Sequence, residues 1–337
     1  MKDLSSLKKL PHFPVMLREV LEVCDPKKGG SYIDCTFGLG SYSNSILSFP
    51  NTNVIAFDRD PSTKKYASPL MKKYPDRFTF FNKKFSKLDE VVKKENKVDF
   101  IIFDLGLSSL QLKNLSRGFS FKSKGKADMR MGLNKFSAHE VINKLDFNDL
   151  ARILKIFGEE KDSRRIARNV VNQRKKKIIS SIPQLIEIVK YSKKKDLKKG
   201  TNISTKTFQA IRILVNNEIT ELVNGLIKAT KLLKTGGKIL VITFHSIEDR
   251  IVKFFFSNYS KNKSRGSRYL PDLKNSKVLF ENYSNKIITP TKNEIEINNP
   301  SRSAKMRFAV RSEDEFFTPV DFKKNFNHYL DLESSYV

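Results

Sequence analysis

Asp104 closes the apolar run Ile101-Ile102-Phe103 and is followed by Gly106, Ser108, Ser109 and Gln111, then by Arg117-Gly118-Phe119-Ser120-Phe121. A carboxylate delivered by a buried strand, then small residues, then aromatics beside an arginine, is poor packing material. It suits the wall of a ligand pocket at the carboxyl end of a parallel sheet. There a carboxylate can accept a hydrogen bond from an exocyclic amine or face the reacting end of a cofactor. The plainer alternative is a loop carboxylate satisfied by its own turn.

Other residue types recur at comparable positions. Asp34-Cys35-Thr36-Phe37-Gly38-Leu39-Gly40-Ser41-Tyr42-Ser43 carries a Gly-x-Gly turn. Gly38 and Gly40 let the backbone approach a ligand where a helix begins and offers free N–H groups. Asp58 ends the next apolar run, where an acid suits the two hydroxyls of a ribose. Asp60 precedes Pro61 and reads as a helix cap. Turn plus acid point to an adenosine-containing cofactor. Phe85 follows the third run, where its ring can meet an adenine or simply fill the core. Nothing demands the hydride site of a nicotinamide enzyme. Thr243-Phe244-His245-Ser246 ends a later strand, and His245 titrates in a range useful for catalysis. Arg117, Phe119 and Phe121 can hold an unstacked base by aromatic or guanidinium stacking, or form a hydrophobic lid with a surface arginine. Asp128-Met129-Arg130-Met131 also sits oddly for a core.

The elements that must position these residues are a sheet and an insertion. Strands are expected at 32–34, 54–58, 78–81 and 100–104, with helices at 43–47, 61–73 and 88–94 between them. This βαβαβαβ alternation predicts a parallel sheet covered on both faces. From 112 to 224 only helical spacing is found, including a long helix through Phe208, Ile211, Val215, Ile219 and Leu222 that Gly236-Gly237 closes. Arg164, Arg165 and Arg168 share one exposed helix face and suit phosphates. A strand at 238–244, a helix at 247–259, a basic polar loop near 261–277 and a strand at 305–310 complete the pattern. The expected organisation is a sheet domain of residues 1–111 and 225–312, a helical insertion of residues 112–224 and a peripheral tail of residues 313–337.

Composition narrows the class. The chain has 337 residues, 39% of them hydrophobic, which is enough for a real core. A formal net charge of +28 points to a polyanionic partner, most simply nucleic acid, although the predominance of lysine over arginine also fits compositional drift on solvated faces. Two cysteines, Cys24 and Cys35, exclude a disulfide scaffold, and the histidines are scattered, so no metal site is expected. No apolar run is long enough to span a membrane, and no secretory signal is seen, so a cytoplasmic protein is expected.

Taken together, these motifs resemble those of the bacterial 16S ribosomal RNA (cytosine-N4)-methyltransferase family, RsmH/MraW. The resemblance runs in order from His12-Phe13-Pro14-Val15-Met16-Leu17 through Asp34, Thr36–Gly40, Asp58–Pro61, Asp104–Ser109, Arg117–Phe121 and Asp128–Met131. It continues through Gly158-Glu159-Glu160, Arg165–Arg168, Thr207–Arg212 and Phe244–Arg250 to Asn299–Arg307. It implies a Rossmann-like class I S-adenosylmethionine methyltransferase sheet with an inserted helical domain that recognises RNA. It implies S-adenosyl-L-methionine as cofactor and, as substrate, a cytidine N4 in the decoding region of 16S ribosomal RNA, within the small ribosomal subunit. By position it carries cofactor contacts onto Gly40, Ser41, Tyr42, Asp58, Phe85, Asp104 and Gln111. The family usually has glycine at the place of Cys35 and Gly-His at the place of Ser41-Tyr42. Asp104 and His245 are the candidate catalytic side chains. Arg117, Phe119, Phe121, Arg130, Arg164, Arg165 and Arg168 are the candidates for RNA. A homodimer is compatible with all of this. Two rival readings are a methyltransferase for another RNA or DNA base, and a non-catalytic RNA-binding ribosome assembly factor.

Overall fold

The computed structural model describes residues 14–93, 95–193, 202–264 and 277–336. His12, Phe13 and most of the basic loop expected near 261–277 lie outside the described residues, as does Lys94 at the end of the helix expected at 88–94. The chain divides into two compact units, residues 1–106 with 222–325, and residues 107–221 with 326–337.

The first unit is built on a six-stranded sheet: β1 (Gly30–Asp34), β2 (Thr52–Phe57), β3 (Phe78–Phe81), β4 (Val98–Asp104), β5 (Leu233–Thr243) and β6 (Lys305–Val310). The strand order is β3-β2-β1-β4-β5-β6; only β6 runs antiparallel to its neighbour. Helices α1 (Leu17–Cys24), α2 (Ser41–Leu47) and α3 (Lys64–Lys73) belong to this half of the chain. Side chains alternate between the two sheet faces. Tyr32, Val54, Ala56, Phe100, Ile102, Leu240 and Ile242 share one face and pack with Val20 of α1, Tyr42 and Ile46 of α2, and Ala67 and Leu70 of α3. Ile33, Ile101, Phe103, Ile239 and Val241 point to the other face and are equally buried. Burial on both faces is why β4 and β5 read as continuous apolar runs.

The register sets the site. Asp34 of β1 lies opposite Ala56 of β2 and Ile102 of β4, and Asp104 of β4 lies opposite Ile242 of β5. The carboxyl ends of four strands therefore finish at one edge. Strand order reverses between β1 and β4, and a crevice opens at such a switch point.

The second unit contains α4 (Ser109–Lys113), α5 (Ala138–Lys144), α6 (Phe147–Gly158), α7 (Ser163–Lys176), α8 (Ile182–Ser192) and α9 (Thr205–Asn216). Further along the chain come α10 (Glu218–Leu232), α11 (Ser246–Asn258), α12 (Lys261–Ser264), α13 (Lys292–Ile297) and α14 (Val320–Ser334).

Three local readings need correction. The single long helix expected from Phe208 onward is two, because Asn217 adopts a left-handed conformation, φ 51°, between α9 and α10. Asparagine tolerates that region, so the apolar spacing runs on across the break. Gly236-Gly237 does not close the helix. Leu233 already pairs with Val98, and the glycines lie in an irregular stretch of β5, where the Gly236 N–H donates to the Arg311 carbonyl and the Arg311 N–H donates to the Gly237 carbonyl. The tail expected to be peripheral forms α14, in which Phe322, Phe326, Tyr329, Leu332 and Glu333 are buried.

Candidate active site

The first strand-to-helix turn is shaped by Gly40. Its φ of +76° is left-handed, and a Cβ there would lie 2.6 Å from the ring of Phe37. Only glycine lets the chain turn at this point and start α2 at Ser41. Asp34 braces the turn from beneath: it is fully buried, accepts the Thr36 N–H at 3.2 Å and accepts the Ser43 hydroxyl at 2.7 Å. Burial, partly offset by those donors, pushes its carboxyl up to about 6.

Asp58 follows β2. Its Oδ2 accepts the Gly38 N–H at 2.7 Å and its Oδ1 accepts the Asp60 N–H at 2.8 Å. The carboxylate thus ties the glycine turn to the next strand end, and each oxygen keeps a second lone pair for a hydroxyl. Burial raises it to about 7. Asp60 caps the following turn by accepting the Ser62 N–H at 3.0 Å, as its place before Pro61 suggests. Phe85 begins a 3-10 helix (Phe85–Glu90) where an α-helix was expected at 88–94. Its ring meets Phe103 edge-on at 5.2 Å, and Gly225 lies so close that a Cβ would come within 2.7 Å of the ring.

Asp104 is held from two sides. Its N–H donates to the Thr36 hydroxyl at 2.7 Å, its Oδ2 lies 3.3 Å from the Tyr42 hydroxyl, and its Oδ1 is buried with no hydrogen-bond partner. Burial, with the neighbouring Asp34 charge second, raises its carboxyl to about 8. A buried acceptor left open is costly unless a ligand completes it. Tyr42 is itself buried, and its hydroxyl is accepted by the Val15 carbonyl. Its side chain therefore supports Asp104. Ser41, the first residue of α2, is half-buried.

His245 ends the run after β5 and caps the helix that follows. Its Nδ1 accepts the Glu248 N–H at 3.4 Å as the cap of α11, and its Nε2 lies 3.1 Å from Glu248 Oε1. Glu248 Oε2 also accepts the Phe244 and His245 N–H groups at 2.9 and 3.3 Å. The Nδ1 cap and the Glu248 carboxylate fix the strand end, while Nε2, close to Glu248 Oε1, is buried without a hydrogen-bond partner. Phe244 in turn covers Gly106, where a Cβ would sit 3.2 Å from its ring.

The remaining candidates lie in the second unit. Gln111 is buried and accepts the Ser108 N–H at 3.0 Å in the capping box of α4. Phe119, expected to stack on a base, is only 5% exposed, with the Arg117 guanidinium 5.4 Å from its ring centroid. Phe121 packs on Phe208 at 4.7 Å. Arg117 donates to the Arg130 carbonyl at 2.7 Å, and Arg130 grips both oxygens of Asp128. Arg165 pairs with Asp162 and donates to the Ser192 carbonyl, so it holds α7 to α8. Arg164, lying over the Phe147 ring, and Arg168 are exposed. Of the seven RNA candidates, these two present exposed cations. Sequence reasoning missed the supporting roles of Asp34, Thr36, Tyr42 and Glu248. For Asp34 and Glu248 the signal was a carboxylate within a few residues of a strand end; for Tyr42 there was none.

A mostly parallel sheet with one reversed edge strand, a glycine turn after β1, and acids after β2 and at the end of β4 define the S-adenosylmethionine-dependent methyltransferase class. The MraW methylase family model matches residues 9–312, and the chain belongs to that family. The ribosomal RNA small subunit methyltransferase H of Ehrlichia ruminantium (strain Welgevonden) is 41% identical over 304 residues, 89% of this chain and 99% of the relative. That of Rickettsia prowazekii (strain Madrid E) is 44% identical over 305 residues, 89% of this chain and 98% of the relative. The solved structure of an rRNA methylase from Streptococcus thermophilus aligns with a TM-score of 0.40 at 9% identity, over 89% of this chain and 100% of that one. No helix among the described residues is long and apolar enough to cross a membrane.

Proposed function

We propose that the protein methylates the exocyclic N4 of a cytidine in the decoding region of 16S ribosomal RNA, using S-adenosyl-L-methionine. The observation that carries the chemistry is the buried, unpartnered Oδ1 of Asp104 at the switch point. The curated relatives' names supply the substrate class.

The residues fit the cofactor. The main chain of Gly38, Gly40, Ser41 and Tyr42 lines the turn at the start of α2, Asp58 has lone pairs for ribose hydroxyls, and Phe85 offers a ring to adenine. When bound, the cofactor supplies an electrophilic methyl group and a positive charge. A positive charge beside Asp104 favours its ionised form against the burial that holds it neutral. The ionised Oδ1 then accepts an N–H of the cytosine amine. That bond holds the amine so that its weakly available lone pair faces the methyl, and most of the acceleration comes from positioning. A base in folded RNA must first leave its stack. Arg164 and Arg168 are the cations for its phosphates.

The working substrate is the small ribosomal subunit in the cytoplasm, and the enzyme acts as a monomer or homodimer. Mass spectrometry of 16S ribosomal RNA from cells lacking the protein tests this. N4-methylcytidine should vanish from the decoding region and return on complementation. Its undiminished presence would defeat the reading.

A further inference from the structure

The second unit has a polar groove that methyl transfer does not use. It lies between α7 and α8, has a volume of about 420 Å³, and is lined by residues from both helices and from the turn that joins them. Asn169 Nδ2 donates to the Ser192 hydroxyl at 2.8 Å and ties the helices together at one end.

Helical spacing organises the groove. Arg164, Arg168, Asn172 and Lys176 recur every fourth residue on α7 and are all exposed, so a stripe of cations and an amide runs along the helix towards the groove. Gln173 and Lys177 extend that edge. Across the groove, Glu187 and Tyr191 of α8 are also four apart. Tyr191 is 86% exposed, and Ile178, in the connecting turn, is 56% exposed. An apolar patch this small, rimmed by charged and amide groups, does not suit the hydrophobic centre of a protein interface. A flat ring beside amides and lysines suits an unpaired nucleotide, which offers a π-face, a polar edge and a phosphate.

We propose that this groove binds an unpaired segment of the substrate RNA. One base stacks on Tyr191 and turns its polar edge to Asn172 and Gln173. Glu187 accepts an exocyclic amine and repels phosphate, which sets the base at that side of the groove and the backbone at Lys176 and Lys177. The inference rests on the RNA reading above and adds a contact remote in sequence from the methyl-transfer residues.

Full-length wild type, Tyr191→Ala and Tyr191→Phe would be titrated by fluorescence anisotropy against a labelled, unstructured RNA of about 12 nucleotides. S-adenosylmethionine binding would be followed in parallel by calorimetry. Tyr191→Ala should weaken RNA binding by about fivefold or more, Tyr191→Phe should keep it, and cofactor binding should be unchanged in both. Lys176→Gln with Lys177→Gln should flatten the log–log salt dependence by about 1.4. Unchanged affinity in Tyr191→Ala, or an equal loss in Tyr191→Phe, would overturn the groove. A wild type that binds cofactor but no RNA would instead defeat the RNA reading, and the groove with it.

Discussion

The hydroxyl of Tyr42 stands between two acceptors, the Val15 carbonyl and Oδ2 of Asp104, with the latter 3.3 Å away. It has one hydrogen to give. The carbonyl takes it while Asp104 is neutral, and the carboxylate competes for it once ionised. Tyr42 therefore eases ionisation of a group that burial resists.

Tyr42→Phe removes the donor and raises the Asp104 pKa further. The acid limb of the pH–rate profile should move to higher pH, and turnover at neutral pH should fall about tenfold, equivalent to about 1.4 kcal/mol. Recovery at alkaline pH is the diagnostic. A uniform loss at every pH would show that Tyr42 acts only through packing.

Asp104→Asn should separate activity from stability. Turnover should fall at least about 100-fold. The native carboxyl is raised to about 8 against an ordinary value of 3.8, so the unfolded chain releases this proton first as pH rises. The wild type thus loses stability between those two values, and the amide does not. Melting curves of the cofactor-free proteins should show the variant's relative advantage growing from pH 5 to pH 8. An advantage that shrank over that range would contradict the raised pKa.

Gly40→Ala places a Cβ against Phe37 in a left-handed conformation. The strain should cost about 1–3 kcal/mol. Because the turn itself would shift, cofactor affinity measured by calorimetry should fall along with melting temperature.

Much of this fold was legible because burial on both sheet faces leaves unbroken apolar runs, as at Ile101–Phe103 and Ile239–Ile242. The glycine turn and Asp58 were legible because both lie at strand ends. Contacts between distant positions were not. Tyr42 and Asp104 are 62 residues apart, and nothing in either local pattern announces the other. The Asn217 break was hidden because the apolar spacing stays in phase across it. Phe119 left two readings open, a stacking ring or a lid, because its local pattern of Gly118 and Ser120 says nothing of the burial that the fold gives it.

Glu333 shows the same effect at longer range. It is fully buried and accepts the Ile219 and Thr220 N–H groups at 3.0 and 2.7 Å, capping the first turn of α10. Glu333→Ala should lower stability by about 1–3 kcal/mol in urea denaturation, as two helix donors lose their acceptor. Glu333→Gln, which keeps one carbonyl oxygen, should cost less. Equal losses would mean that packing of the side chain, and not its acceptor oxygens, matters.

That cap has a consequence for synthesis. The Ile219 donor and its acceptor are separated by 114 residues. A nascent chain emerges amino end first. The first turn of α10 therefore waits for its cap until residue 333 has been made and has left the ribosome. A chain that stopped before Glu333 would hold every strand of the sheet and still leave the first turn of α10 without this cap.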